Sequence, residues 1–157
     1  MKKVAIASLL FAANLFAISH AEVAKKNDKT MSGFEDSKST MTMTLINAKG
    51  QTRIRTIRSK SLELDGGDKS LMEFLSPADV KGTKFLNYEH AQKDDDQWLY
   101  LPALKRVKRI SSKNKSGAFM GSEFSYEDVS SFNIDKYDYK QEDAKTSILQ
   151  GKEVYVV

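Results

Sequence analysis

The sequence offers few side chains for covalent or acid–base catalysis. It contains no cysteine and two histidines, which excludes disulfide scaffolds, cysteine-ligated zinc and thiol nucleophiles. His90 stands beside Glu89 in a polar stretch. Ser122 follows Gly121 but lacks the full G-x-S-x-G pattern of a nucleophile elbow. We therefore predict that the protein is not an enzyme and that it has no catalytic residue and no cofactor.

Two groups of carboxylates raise the question of a metal site or of acid–base chemistry. Asp94-Asp95-Asp96 offers oxygen ligands for a hard cation but lacks the spaced acidic residues and final Glu of a calcium loop. Glu123, Glu127 and Asp128 form the second group, and no pattern brings them to a common cleft. Both groups are predicted to lie in loops and at the surface, with no bound metal.

The first 21 residues are typical of a secretory signal peptide. Lys2 and Lys3 precede an apolar run over residues 4–18, and Ser19-His20-Ala21 resembles an A-x-A cleavage site. The run is shorter than the roughly 20 residues that span a bilayer, although an uncleaved membrane anchor is the alternative. We predict cleavage after Ala21 and a periplasmic mature chain, residues 22–157, that forms a single domain.

Lys105-Arg106-Val107-Lys108-Arg109 is the densest basic segment. Such a segment could contact lipid phosphates or an acidic partner, or it could be the exposed face of a curved sheet. Nucleic acid is a poor candidate, because 25 Lys and Arg against 21 Asp and Glu give a net charge of only +4 and export is predicted.

Alternating polar and apolar residues, separated by turn residues, predict a fold rich in β-strands. Met41, Met43 and Leu45 alternate with threonines, and Asn47-Ala48-Lys49-Gly50 then provides a hairpin turn. The predicted strands cover residues 40–46, 52–60, 70–75, 83–88, 97–101, 106–110, 135–139 and 154–157. A short helix before residue 33 has a weaker pattern. The strands together predict a curved antiparallel sheet or barrel.

Bulky apolar side chains recur along these strands and in the following loop. The candidates for contact with an apolar ligand are Met41, Met43, Leu45, Phe74, Phe85, Trp98, Tyr100, Phe119 and Met120. Methionine adapts to irregular apolar shapes, so a concave face lined in this way could enclose such a ligand. Periodicity alone agrees equally well with an ordinary packed core.

Three segments in order resemble the outer membrane lipoprotein-sorting protein family, periplasmic relatives of the lipoprotein carriers LolA and LolB. They read FLSPADVKGT over residues 74–83, DDQWLYLPALKRVKRI over residues 95–110 and FMGSEFSYED over residues 119–128. The resemblance extends over the mature chain from about Met31. It implies a mainly β, α+β fold: a curved antiparallel sheet forming an incomplete, open β-barrel with a helical cover.

The resemblance also implies a role. Members of this family hold acyl chains in the apolar cavity of the half-barrel, so lipid, lipoprotein or other hydrophobic cargo is expected, with transient membrane contact. Arg106 and Arg109 are then the candidates for an anionic head group or partner. The alternative is an accessory module that carries no lipid and docks on an inner-membrane exporter of the resistance-nodulation-division type.

The length of the chain differs from that of the family. Members continue for several strands beyond the position of Val157, so this chain is expected to lack the last strands of the half-barrel. A truncated gene, a split gene with a complementing chain, or an oligomer that completes the sheet would each agree with this expectation.

Overall fold

The computed structural model describes residues 18–130, 133–140 and 142–157. These residues contain one α-helix, α1 (His20–Met31), and eight strands. The strands are β1 (Asp36–Ile46), β2 (Thr52–Leu62), β3 (Lys69–Ser76), β4 (Lys84–Tyr88), β5 (Asp96–Leu101), β6 (Arg106–Ile110), β7 (Lys145–Leu149) and β8 (Lys152–Val156). Single 3₁₀ turns occupy Pro102–Leu104, Ser112–Asn114, Phe119–Gly121 and Ile134–Lys136. No helix in this described part is long and apolar enough to span a bilayer.

Residues 1–17, most of the predicted signal peptide, lie outside the described residues, and the predicted cleavage point after Ala21 lies within α1. The chain divides into two compact units. The sheet unit is Asn27–Asp138, and the terminal unit joins Met1–Lys26 with Tyr139–Val157. A single domain over residues 22–157 stays a prediction.

In the terminal unit, α1 begins with a reciprocal capping box. The Glu22 amide donates to the Ser19 hydroxyl at 3.3 Å, and the Ser19 amide donates to the Glu22 carboxylate at 3.0 Å. These bonds from Ser19 lower the pKa of Glu22. The hairpin of β7 and β8 lies in the same unit, and its turn contains Gln150 and Gly151, both with positive φ.

The sheet unit contains a six-stranded antiparallel sheet in which β1 to β6 follow one another in chain order. The predicted hairpin is confirmed: β1 pairs with β2 around a turn where the Asn47 side chain accepts the Lys49 and Gln51 amides. The sheet is curved and not closed, as expected for an open half-barrel. The mainly β fold class is therefore confirmed.

The core lies on one side of this sheet, which we call the packed face. Period-two alternation places Ile57, Phe74, Phe85, Leu99 and Ile110 on this face, and all of them are buried. The opposite, outer face carries half-buried side chains at alternate positions. They include Leu71, Leu86, Tyr88, Trp98 and Tyr100.

An irregular stretch, residues 117–130, lies on the packed face, and we call it the cover segment. Its central residue is Phe119, which is fully buried with its ring centroid 5.2 Å from that of Phe85 and 5.5 Å from that of Tyr126. Backbone bonds fold the segment back on itself, since Phe119 donates to the Phe124 carbonyl at 2.6 Å. The core is thus closed by one aromatic cluster and not by a second sheet.

One predicted strand, residues 135–139, is wrong. The structure has a 3₁₀ turn over Ile134–Lys136, because the Asn133 side chain accepts the Asp135 amide and so stabilises a turn locally. Strand β7 was not predicted. Its sequence, KTSIL, has no alternation of apolar and polar residues, and each of its five residues is exposed.

Candidate functional site

The best candidate for a ligand site is a groove of about 770 Å³ at the open end of the β1–β2 hairpin. We call it the hairpin groove. Its walls are residues 43–46 of β1, residues 52, 53 and 55 of β2, part of the intervening turn, and residues 121–124 of the cover segment. Its apolar and charged lining residues include Met43, Leu45, Arg53, Arg55, Glu123 and Phe124.

Strand register explains why a groove forms there. Residues of β2 pair with β3 only from Thr56 onward, so the first four residues of β2 extend past β3 together with their partners in β1. In this overhang, Met43 lies opposite Arg55 and Leu45 lies opposite Arg53. Because directly opposed residues of antiparallel strands share a face, the two apolar and the two basic side chains all lie on the packed face.

Arg55 is the buried charge of the hairpin groove. It is 8% exposed, and its Nη1 donates to the Met120 carbonyl at 2.7 Å. Its guanidinium carbon lies 5.9 Å from the centre of the Phe74 ring, within the range of a cation–π contact. Among the described residues, no carboxylate forms an ion pair with Arg55.

The cover segment presents a carbonyl to Arg55 through an unusual backbone. Met120 and Gly121 both have positive φ, 52° and 71°. The Ser122 hydroxyl then donates to the Phe119 carbonyl at 2.7 Å, which fixes the turn. The Ser122 hydroxyl proton is therefore donated to a backbone carbonyl, whereas a nucleophilic serine would donate it to a general base.

The predicted ligand-contact residues occupy three different places. Met43 and Leu45 line the hairpin groove, and Met120 packs at the border of the core beside it. Met41 shares their face but is 38% exposed.

Three of the others, Phe74, Phe85 and Phe119, are fully buried against one another in the core. Trp98 and Tyr100 lie on the outer face, where Trp98 packs edge-on against Tyr88 with ring centroids 5.2 Å apart. Ligand contact by this set stays a prediction, and the structure brings only Met43 and Leu45 into the groove.

The two predicted anion-binding arginines lie away from the hairpin groove. Both belong to β6, the last strand of the sheet. Arg109 forms an ion pair with Asp96, and Arg106 is exposed opposite Leu101. Contact of Arg106 and Arg109 with an anionic head group stays a prediction.

Sequence reasoning did not select Arg53 and Arg55 as site residues. The signal was present, because both arginines alternate in phase with Met43 and Leu45 across a predictable hairpin turn. What the sequence could not show was that the cover segment returns over this end of the sheet.

The remaining titratable clusters have structural explanations. A second groove, of about 540 Å³, is lined by Asp28, Glu35, Glu63, Asp65, Asp68, Glu89 and Asp135. Glu63 there accepts the Gly33 and Glu35 amides, and the Asn133 side chain donates to Glu89 at 2.7 Å. Burial, with a further contribution from Glu63 and Asp28, raises the pKa of Asp68. Within the described ranges, no group of His, Asp and Glu has an arrangement that could hold a metal ion.

The geometry thus defines an open, LolA-like antiparallel sheet whose overhanging hairpin borders a groove that combines apolar side chains with polar ones and a buried cation. A family model described as an uncharacterized protein family matches residues 66–157, more than half of the chain. A domain assigned to the outer membrane lipoprotein-sorting proteins, from Vibrio parahaemolyticus, is 53% identical with a TM-score of 0.79. A DUF1329 family protein from Desulfovibrio piger is 33% identical with a TM-score of 0.76.

Each of the two structural alignments covers 86% of this chain. The chain spans 57% of the length of each of those solved chains. The search of curated proteins finds no match. The chain belongs to the family whose model matches residues 66–157, and over 86% of its length it is similar to the outer membrane lipoprotein-sorting domain. The family resemblance of the three sequence segments is confirmed.

Proposed function

We propose that the protein is a periplasmic carrier that binds the acyl chain of a lipid or lipoprotein in the hairpin groove, without catalysis. The observation that carries the proposal is the groove itself, with Met43, Leu45 and Phe124 on its walls. Its volume of about 770 Å³ lies within the roughly 300–1,000 Å³ of small-molecule sites. The relative from Vibrio parahaemolyticus, assigned to lipoprotein sorting, supports the same class of cargo.

The energetics of acyl chains explain why such a groove is needed. Each CH₂ group removed from water contributes about 0.8 kcal/mol, so a chain of lipid length crosses an aqueous compartment only when a protein covers it. Phe124 is 53% exposed and faces the groove from the cover segment. An acyl chain in the groove would cover this exposed apolar side chain and remove both surfaces from water.

The test is the uptake of a fluorescent fatty acyl probe by the full chain, comparing Leu45→Gln with Ile54→Gln. Leu45 lines the groove, whereas Ile54 is 59% exposed on the other face of the same overhang. We expect saturable uptake by the wild type and about tenfold weaker binding by Leu45→Gln, because the lost apolar contact is worth roughly 1.5 kcal/mol or more.

Ile54→Gln should bind the probe as the wild type does, since its side chain lies outside the groove. Circular dichroism and thermal unfolding of each variant provide the check on folding. Absence of saturable uptake by the folded wild type would overturn the carrier proposal. Equal loss in both variants would exclude the hairpin groove as its site.

A further inference from the structure

The apolar side chains of the hairpin groove do not balance the buried charge of Arg55. A guanidinium carries five N–H donors and a permanent charge, and a buried charge is normally paired with an opposite one. Arg55 is 8% exposed, yet within the described residues its guanidinium meets one carbonyl, that of Met120, and one ring face, that of Phe74. The charge itself has no counter-ion there.

A second cation stands next to this buried one. Arg53 lies two residues along β2, on the same face, and it is exposed in the hairpin groove. Glu123 is the acidic side chain of the groove lining, and in the described structure it forms no ion pair with either arginine. The groove therefore has an excess of positive charge beside its apolar wall.

The two guanidinium groups limit the chemistry of the ligand. Arginine binds carboxylate and phosphate oxygens through paired N–H donors, and such bonds are about twice as strong as neutral ones. Met43, Leu45 and Phe124 supply apolar contacts in the same groove. A ligand that satisfies both parts carries an acyl chain and an oxyanion.

Resting on the proposed carrier function, we propose that the hairpin groove is selective for anionic amphiphiles and that Arg55 and Arg53 bind the head group. Arg55 supplies the counter-charge within the groove, and Arg53 closes on the head group from the solvent side. This assigns the anion-binding role to β2 and not to the basic edge strand β6. A neutral lipid would leave the charge of Arg55 without a counter-ion.

Calorimetric titration of the full chain tests this with three probes: dodecyl phosphate, dodecanol and inorganic phosphate, each alkyl probe below its micelle concentration. We expect dodecyl phosphate to bind at least tenfold more tightly than dodecanol, with a preference that shrinks as salt is added. Inorganic phosphate alone should bind far more weakly than dodecyl phosphate.

Variants identify the residues responsible. Arg55→Gln, which replaces the charged group with a shorter neutral polar side chain, and Arg53→Gln should each reduce the preference for dodecyl phosphate several-fold. Arg58→Gln is the matched control: it removes the same charge from the same strand, on the outer face where Arg58 pairs with Glu73. Arg53 is exposed, so Arg53→Gln remains informative even if Arg55→Gln fails to fold.

The outcomes separate the two proposals. Equal binding of dodecanol and dodecyl phosphate would overturn the inference and leave the carrier function intact. Inorganic phosphate binding as tightly as dodecyl phosphate would identify an anion site without a lipid and overturn it as well. A preference unchanged in both Arg53→Gln and Arg55→Gln would exclude these residues. A folded protein that binds neither alkyl probe would overturn the carrier function.

Discussion

At the scale of single residues, the Asp96 carboxylate on the outer face has three side-chain partners. It accepts from His90 Nε2 at 2.9 Å and from the Arg109 guanidinium, and Lys93 stands 3.9 Å away. The hydrogen bonds from His90 and then from Arg109 hold the pKa of Asp96 below its ordinary value. Arg109 is therefore already paired with a carboxylate of the same sheet.

We expect the stability of the protein to fall in acid partly through Asp96. A carboxyl with a lowered pKa in the folded state stabilises the fold above its unfolded pKa, and this contribution is lost as pH falls through the folded value. Asp96→Asn should therefore be less stable than the wild type at pH 7, and the difference should shrink as the pH falls through the lowered folded pKa of Asp96. Urea unfolding between pH 7 and pH 2.5 measures this.

The control for this series is Asp79→Asn, since Asp79 is exposed after β3. Its unfolding profile should follow that of the wild type over the same pH range. A constant difference in stability between Asp96→Asn and the wild type at every pH would contradict a titrating role for Asp96.

At the scale of structural elements, the β2–β3 turn depends on Gly67. Its φ is +121°, and a Cβ built on it would lie 2.3 Å from the Glu89 carbonyl oxygen. The Glu89 amide donates to the Asp68 carbonyl at 2.8 Å, so the turn and the strand end cannot easily separate. Gly67→Ala should destabilise the fold by about 1–3 kcal/mol through this overlap and backbone strain.

Gly66→Ala provides the comparison, because a Cβ at Gly66 meets no atom within 4 Å. Its urea midpoint should lie close to that of the wild type. If the two alanine variants unfold at the same urea concentration, the close approach of Gly67 to Glu89 is not what stabilises this turn.

The Phe119 ring is the fully buried contact between the cover segment and the sheet. Phe119 contacts Phe74, Phe85 and Tyr126, so Phe119→Ala leaves a cavity between the segment and the strands. We expect it to cost about 3–5 kcal/mol in the free energy of unfolding. Phe124→Ala, in the same segment but 53% exposed, should cost less than about 1 kcal/mol. Similar losses for both would contradict this packing.

The elements differ in how far their sequence predicts them. Strands β1 to β6 alternate with period two and are separated by turn residues, so the sequence pattern predicts the strands of the sheet. The cover segment has no regular period, and it is held by backbone bonds and by the buried rings of Phe119 and Tyr126. The groove requires both parts, so the sequence could predict its β1 and β2 walls but not the wall that the cover segment provides.

At the scale of the sheet unit, strand β2 connects two grooves of opposite charge. Its first residues line the hairpin groove with Arg53 and Arg55, and its last residue, Leu62, borders the acidic groove. Arg55 and Leu62 are seven residues apart along the strand, which places the two grooves roughly 23 Å apart. An anionic ligand is therefore repelled at one end of β2 and attracted at the other, which favours binding in the hairpin groove.

The last prediction concerns the whole molecule as it is made in the cell. Expressed with its own first 21 residues, the chain should be exported, cleaved after Ala21 and isolated from the periplasm with bound anionic lipid. Native mass spectrometry measures all of this at once: the mass of the polypeptide gives the cleavage point, and added masses identify the lipid. Leu45→Gln, processed identically, should retain much less lipid, while Ile54→Gln should retain as much as the wild type. A folded, correctly cleaved protein without lipid would favour a docking module over a carrier, because the groove would then have had access to periplasmic lipids and bound none.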